Sequence, residues 1–91
     1  MKYTVNLDRF ASNGTSLQGY IETTFHRLCQ ILGEPIEGGD KTTAEWVIEF
    51  ADGTVATIYD WKTPVTPQHQ YQWHVGGLSP RAAELVHQLF D

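Results

Sequence analysis

Two short runs hold the side chains best suited to recognition chemistry: Tyr59-Asp60-Trp61-Lys62 and Tyr71-Gln72-Trp73-His74, on either side of a loop containing Pro64 and Pro67. Aromatic rings beside polar donors suit stacking on a planar ligand or packing against a protein partner. The competing reading makes Tyr59 and Trp73 core residues and Trp61 an edge residue. Gly76-Gly77 follow, then Arg81 at the start of a C-terminal helix. Backbone amides of glycines and of a helix start can meet an anion, although glycine pairs are more often plain turns. The candidate binding set is therefore Tyr59, Trp61, Lys62, Trp73, His74, Gly76, Gly77 and Arg81.

Other reactive residue types point to less. Glu45, Glu49 and Asp60 lie near one another, and a two-residue turn at Asp52-Gly53 would set Glu45 opposite Asp60. Two facing carboxylates can share a raised pKa or bind a cation. No nucleophile accompanies them, and a solvated or subunit-facing charged edge is the simpler reading. His69, His74 and Asp60 lack metal-ligand spacing. His26 and His87 sit beside apolar helical positions as boundary or surface residues. Cys29 falls on the apolar side of its helix and reads as packing, not as a nucleophile. No phosphate-cradling glycine motif, H-E-x-x-H or G-x-S-x-G occurs. The expectation is a protein that is not an enzyme, with no cofactor and no metal.

The positioning elements follow from alternation and helical spacing. Tyr3, Val5 and Leu7 alternate with polar residues over 2–7, a half-buried strand. Residues 8–16 read as a loop with Asn13-Gly14 as its turn, and 17–22 as a second short strand. Phe25, Leu28, Cys29 and Leu32 recur at helical spacing, with Thr23 or Thr24 as cap and Gly33-Glu34-Pro35 as stop. Residues 36–42 read as a mobile polar connection. AEWVIEF (44–50) and TVATIYD (54–60) flank Asp52-Gly53, the strongest local signal, expected as a type I′ hairpin. That register opposes Phe50 to Val55, Ile48 to Thr57 and Trp46 to Tyr59, leaving Val47 and Ile58 on the other face. YQWHV (71–75) is a further strand ended by Gly76-Gly77. Ser79-Pro80 starts a helix with the stripe Ala82, Leu85, Val86, Leu89 and Phe90. The fold class expected is α+β: a small antiparallel sheet with a central hairpin and two short helices, one domain over 1–91.

Composition narrows the partners. The chain has 91 residues, 41% apolar, 19% charged and 12% aromatic, with a net charge of -5. Six scattered Lys and Arg do not form the basic face that duplex nucleic acid requires. No apolar run approaches the ~20 residues of a membrane span, and the first ten residues carry no signal-peptide core. One thin core cannot hide all eleven aromatic residues, so some are expected at an interface. With Val47 and Ile58 left over on the second face, a homodimer or larger assembly is expected.

The run AEWVIEFADGTVATIYDWK (44–62), followed by YQWHVGG (71–77), resembles a family of small accessory proteins encoded by tailed bacteriophages; GYIETTF (19–25) and LGEP (32–35) add to the likeness. It spans most of residues 17–90. The resemblance carries no catalytic residue. It implies a protein made during infection and acting in the host cytoplasm, where it binds and inhibits a bacterial defence protein, or alternatively sequesters a small nucleotide immune signal. In the nucleotide reading, Trp61 or Trp73 stacks on a base while Gly76 and Gly77 amides, Lys62 or Arg81 meet a phosphate.

Overall fold

Residues 2–6 and 14–90 are described by a computed structural model. Strands β1 (Tyr3–Asn6) and β2 (Ser16–Thr23) precede helix α1 (Phe25–Leu32). Strands β3 (Ile36–Glu37), β4 (Ala44–Phe50), β5 (Val55–Tyr59) and β6 (Tyr71–Gly77) then lead to helix α2 (Arg81–Phe90). Every pairing is antiparallel, in the order β1-β4-β5-β6-β2. β3 pairs with the start of β4 and β1 with its end, both along the edge that β5 does not use. This is the α+β arrangement expected from the alternation and helical spacing. Leu7 and most of the expected 8–16 loop lie outside the described residues; Gly14, at the end of the expected turn, has φ +84°.

Both helices pack on one face of the sheet, because each strand sends its apolar alternation there. Trp46, Ile48 and Phe50 meet Ala56, Ile58, Trp73, Val75 and Ile21, and Leu28, Leu32, Ala82, Leu85 and Val86 close the layer. Trp46 and Trp73 are fully buried, edge to face with centroids 5.7 Å apart. Their indole N–H groups donate to the Gly33 carbonyl at 2.9 Å and the Thr23 carbonyl at 3.1 Å. Burying a large ring with its donor satisfied contributes roughly 4–6 kcal/mol of transfer free energy. Thr24 caps α1 by accepting from the Arg27 N–H at 3.1 Å, and Gly33 ends it at φ +84°. Cys29 packs partly buried beside this core, and burial followed by the Glu34 charge pushes its thiol up.

The hairpin departs from expectation in one decisive way. The Phe50 N–H donates to the Thr54 carbonyl at 2.8 Å and the Gly53 N–H to the Phe50 carbonyl at 2.9 Å. In the loop only Gly53 has a positive φ, at +89°. A type I′ turn needs positive φ at both central residues, so the connection is instead a three-residue loop, Ala51 to Gly53, with the glycine left-handed at its end. The pairing therefore moves by one residue: Trp46 opposes Ile58, Ile48 opposes Ala56 and Glu45 opposes Tyr59. A one-residue slip flips a whole strand. Here it gives the core Ala56 and Ile58 in place of Thr57 and Tyr59, which is the choice hydrophobic burial favours.

Four corrections follow. Glu45 does not face Asp60, so the carboxylate pair does not form. Val47 and Ile58 lie on opposite faces, and both are fully buried within one chain. They supply no leftover apolar surface, and the argument for pairing of copies loses that premise. Gly76 and Gly77 do not end β6 but continue it between β5 and β2. Finally, the 36–42 connection is not wholly irregular, because Ile36 and Glu37 pair with Glu45 and Ala44.

Candidate functional site

On the face away from the helices, the register sets four residues from four strands in one row: Tyr20, His74, Tyr59 and Glu45. Neighbouring strands lie ~4.8 Å apart, so such a row brings side chains into contact. The Tyr59 ring stacks on His74 with centroids 5.4 Å apart and planes at 29°. The Tyr20 ring meets His74 edge-on from the other side at 5.0 Å. Trp61, just past the end of β5, lies 6.2 Å from both Tyr59 and His74. Tyr20 is 41% and Trp61 42% exposed, so the group opens to solvent through its two outer rings.

Trp61 is held by the segment around it. Asp60 is a fully buried carboxylate. Its Oδ1 accepts from the backbone N–H of Thr43 at 2.7 Å and of Ala44 at 3.2 Å. Its Oδ2 accepts from the Thr43 hydroxyl at 2.6 Å and from the Thr63 hydroxyl. Burial pushes the Asp60 pKa up, but these four donors outweigh it and hold the carboxyl below the usual range. Next along the chain, the Trp61 N–H donates to the Tyr71 hydroxyl at 3.2 Å and the Lys62 N–H to the Lys41 carbonyl at 2.7 Å. Lys62 adopts φ +55°, the left-handed region, which costs about 1–2 kcal/mol for a residue with a side chain. Its ammonium lies 5.8 Å from the centroid of the Trp61 ring.

The surroundings of the central histidine disfavour its charged form. Its Nδ1 is buried and has no hydrogen-bond partner among the described residues. Burial pushes the His74 pKa down, and the Asp60 charge offsets this only in part. Burial, then the charges of Glu45 and of Tyr20, push the Tyr59 hydroxyl up. Charge is therefore disfavoured on His74 and Tyr59, and the row ends at Glu45.

Of the residues singled out from sequence, Tyr59, Trp61, Lys62 and His74 come together here. Trp73 does not, because its position in β6 turns it to the helix-bearing face, where full burial leaves no ring surface to stack on. Gly76 lies on the open face under its neighbours: a Cβ there would stand 2.4 Å from Thr57 Oγ1 and 3.4 Å from the Tyr59 ring. Gly77 faces α2, with a Cβ falling 2.3 Å from that of Ala82. These glycines serve close packing within a central strand and are not an exposed anion-binding turn. Arg81 is at the hairpin end of the sheet, 3.5 Å from Asp52 and 3.8 Å from Glu84, at the far end of β5 from Tyr59. Tyr20 was not singled out. The only hint was that Tyr20 and Glu22 alternate with Ile21, and nothing local reveals that β2 pairs with β6.

Two cavities lie at the other end of the sheet. One of about 670 Å³ runs beside β1 and the end of β4, lined by Lys2, Tyr3, Thr4, Glu49, Phe50 and Ala51. A smaller one of about 170 Å³ lies between Lys2, Asp52, Arg81 and Leu85. Neither touches the aromatic row. Among the described residues no group of three or more His, Cys, Asp and Glu is placed to hold a metal, and no helix is long and apolar enough to cross a membrane. No protein-family model, curated protein or solved structure matches the chain.

Proposed function

We propose that this chain is a non-enzymatic binding protein, an accessory protein of a tailed bacteriophage that inhibits a bacterial defence protein by occupying it in the host cytoplasm. The observation that carries the reading is the exposure of Tyr20 and Trp61 in a four-ring group on the helix-free face of the sheet. Large rigid rings give contact area at low ordering cost, which is why they anchor protein interfaces. Neither of the two cavities described above reaches the group, which favours a macromolecular partner, since small ligands are held in concave sites.

The nucleotide-sponge reading keeps one observation in its favour, the Lys62 ammonium beside the Trp61 ring, where a base could stack next to a phosphate contact. Trp73, Gly77 and Arg81 no longer converge on it, and Gly76 is covered.

The test is affinity capture from lysate of defence-carrying bacteria, using the natural chain and a Tyr20→Ala, Trp61→Ala double variant. A bacterial protein held by the natural chain and released by the double variant is the expected result. Equal retention by both sinks the assignment of the site. A small nucleotide released on denaturation from the natural chain, with no bacterial protein held, would favour the sponge.

A further inference from the structure

We infer that two copies of this chain pair through the outer edge of β2, antiparallel and centred on Ile21, so that their sheets join into one. The pairing goes beyond the binding reading above and holds whether or not the aromatic group meets a bacterial protein. β2 ends the sheet on one side and β1 ends it on the other. The direction of the β2 backbone follows from the register, because main-chain groups alternate from side to side along a strand. The Phe50 N–H bonds Thr54 across the hairpin, so Phe50 and Ile48 turn to β5 and Ala56 turns back to β4. Thr57 and Tyr59 then bond Gly76 and His74, while Trp73 and Val75 bond Ile21 and Gly19. Tyr20 and Glu22 are left with N–H and C=O groups pointing out of the sheet. Among the described residues no strand pairs with that side of β2. Such a row of donors and acceptors is matched by another extended backbone.

The occupant follows from the sequence of the edge. Sheet edges are ordinarily guarded by lysine, proline or short length. β1 is guarded in this way, with four residues that follow Lys2. β2 runs for eight residues, SLQGYIET, with neither Lys nor Pro and with Glu22 as its one charge. Its one irregularity is a bulge at Gln18, between Leu17 opposite Gly76 and Gly19 opposite Val75. The regular stretch beyond it, Gly19 to Thr23, has Ile21 at its centre. A two-fold axis there sets Tyr20 opposite Glu22 of the second copy, and Glu22 opposite Tyr20 of that copy. Every outward N–H and C=O of the stretch is then paired. A glutamate meets a phenol and not another glutamate, since like charges directly opposed are destabilising. An axis at Glu22 would oppose the two carboxylates, and an axis at Tyr20 would run the pairing into the bulge. Because one patch serves both copies, the contact closes at a pair. Tyr20, 41% exposed, gains a neighbour at the edge, and Glu22 of each copy lies beside the aromatic group of the other on the shared helix-free face.

The test combines sedimentation equilibrium of the full chain, from micromolar to millimolar concentration, with amide exchange by nuclear magnetic resonance at both ends of that range. The mass is expected to rise from 10.3 kDa toward twice that value. The Tyr20 and Glu22 amides should exchange freely in dilute solution and about tenfold or more slowly at high concentration. The Gly19 and Ile21 amides, bonded to β6, should be protected throughout. Two changes at one exposed position then fix the register. Tyr20→Glu sets like charges opposite each other and should weaken pairing roughly three- to tenfold, whereas Tyr20→Lys meets Glu22 of the second copy and should preserve or tighten it. A mass that stays at 10.3 kDa at millimolar concentration overturns the inference. So does a dimer whose Tyr20 and Glu22 amides exchange as freely as in dilute solution, or one that Tyr20→Lys weakens as much as Tyr20→Glu.

Discussion

Replacing Asp60 with Asn removes one charge from the buried group that fixes Trp61, and the structure allows its cost to be worked out. Oδ1 accepts two backbone N–H groups and Oδ2 two threonine hydroxyls. An asparagine keeps the first pair. Its NH₂ then faces the two hydroxyls, which must turn to accept, and Thr43 can donate instead to Thr66 Oγ1 at 2.7 Å. Bonds to an ionised group are worth about 1 kcal/mol more than neutral ones, so four bonds lose about 4 kcal/mol gross. The amide is cheaper to bury than a carboxylate by several kcal/mol, which returns much of that. The net expectation is a loss of about 1–2 kcal/mol, or ~4–16 °C in Tm. Asp60→Ala strands the donors and should cost ~3–5 kcal/mol, a large part of the ~5–14 kcal/mol expected for a domain of this length. The assay is urea denaturation of the natural chain and the Asn variant at pH 7 and in acid. Because the folded pKa is lowered, the carboxylate's contribution is complete above the unfolded value of about 3.9. It is lost as pH falls below that value through the folded pKa. The gap between the two proteins should therefore be widest at neutral pH and close in acid. Equal stabilities at pH 7, or a gap that persists unchanged in acid, would refute the role given to Asp60.

Gly53→Val should cost ~1 kcal/mol or more in chemical denaturation, because φ +89° suits no β-branched residue, while Gly53→Asn should cost much less. Gly77→Ala should cost about 1–3 kcal/mol through its clash with Ala82. Adding Ala82→Gly should recover part of that loss, and strict additivity of the two changes would show that α2 does not rest on Gly77. Trp73→Ala should cost ~3–5 kcal/mol, whereas Trp61→Ala should stay within ~0.5 kcal/mol. A reversed order in thermal melts would exchange their roles as core and surface.

The elements were legible because their signals are local. Thr24 and Gly33 mark the ends of α1, and Ala82, Leu85 and Val86 mark the buried stripe of α2. The alternation of 44–50 reads correctly as a strand with Trp46, Ile48 and Phe50 on one face. The hairpin register failed because Asp52-Gly53 serves both a two-residue I′ turn and a three-residue loop that needs positive φ only at Gly53. The core composition of β5 decides between them: Ile58 with Ala56 is more apolar than Tyr59 with Thr57. Of the eight residues singled out from sequence, four come together in the site: Tyr59, Trp61, Lys62 and His74. The β6 alternation alone could not say which side of YQWHV faces the helices, so Trp73 and His74 were placed together although neighbours in a strand point apart. Tyr20 was hidden because its place beside His74 depends on β2 joining the sheet at β6, a contact between residues 54 positions apart in the chain.

The most direct test of the account is calorimetric titration of the captured bacterial protein into the natural chain and into Trp61→Ala, with circular dichroism on the same preparations. The account predicts that the variant keeps its fold and its denaturation midpoint, while affinity falls about thirtyfold, the ~2 kcal/mol of an interface anchor. Full-strength binding by a folded Trp61→Ala chain would contradict the claim that this aromatic surface is the binding site.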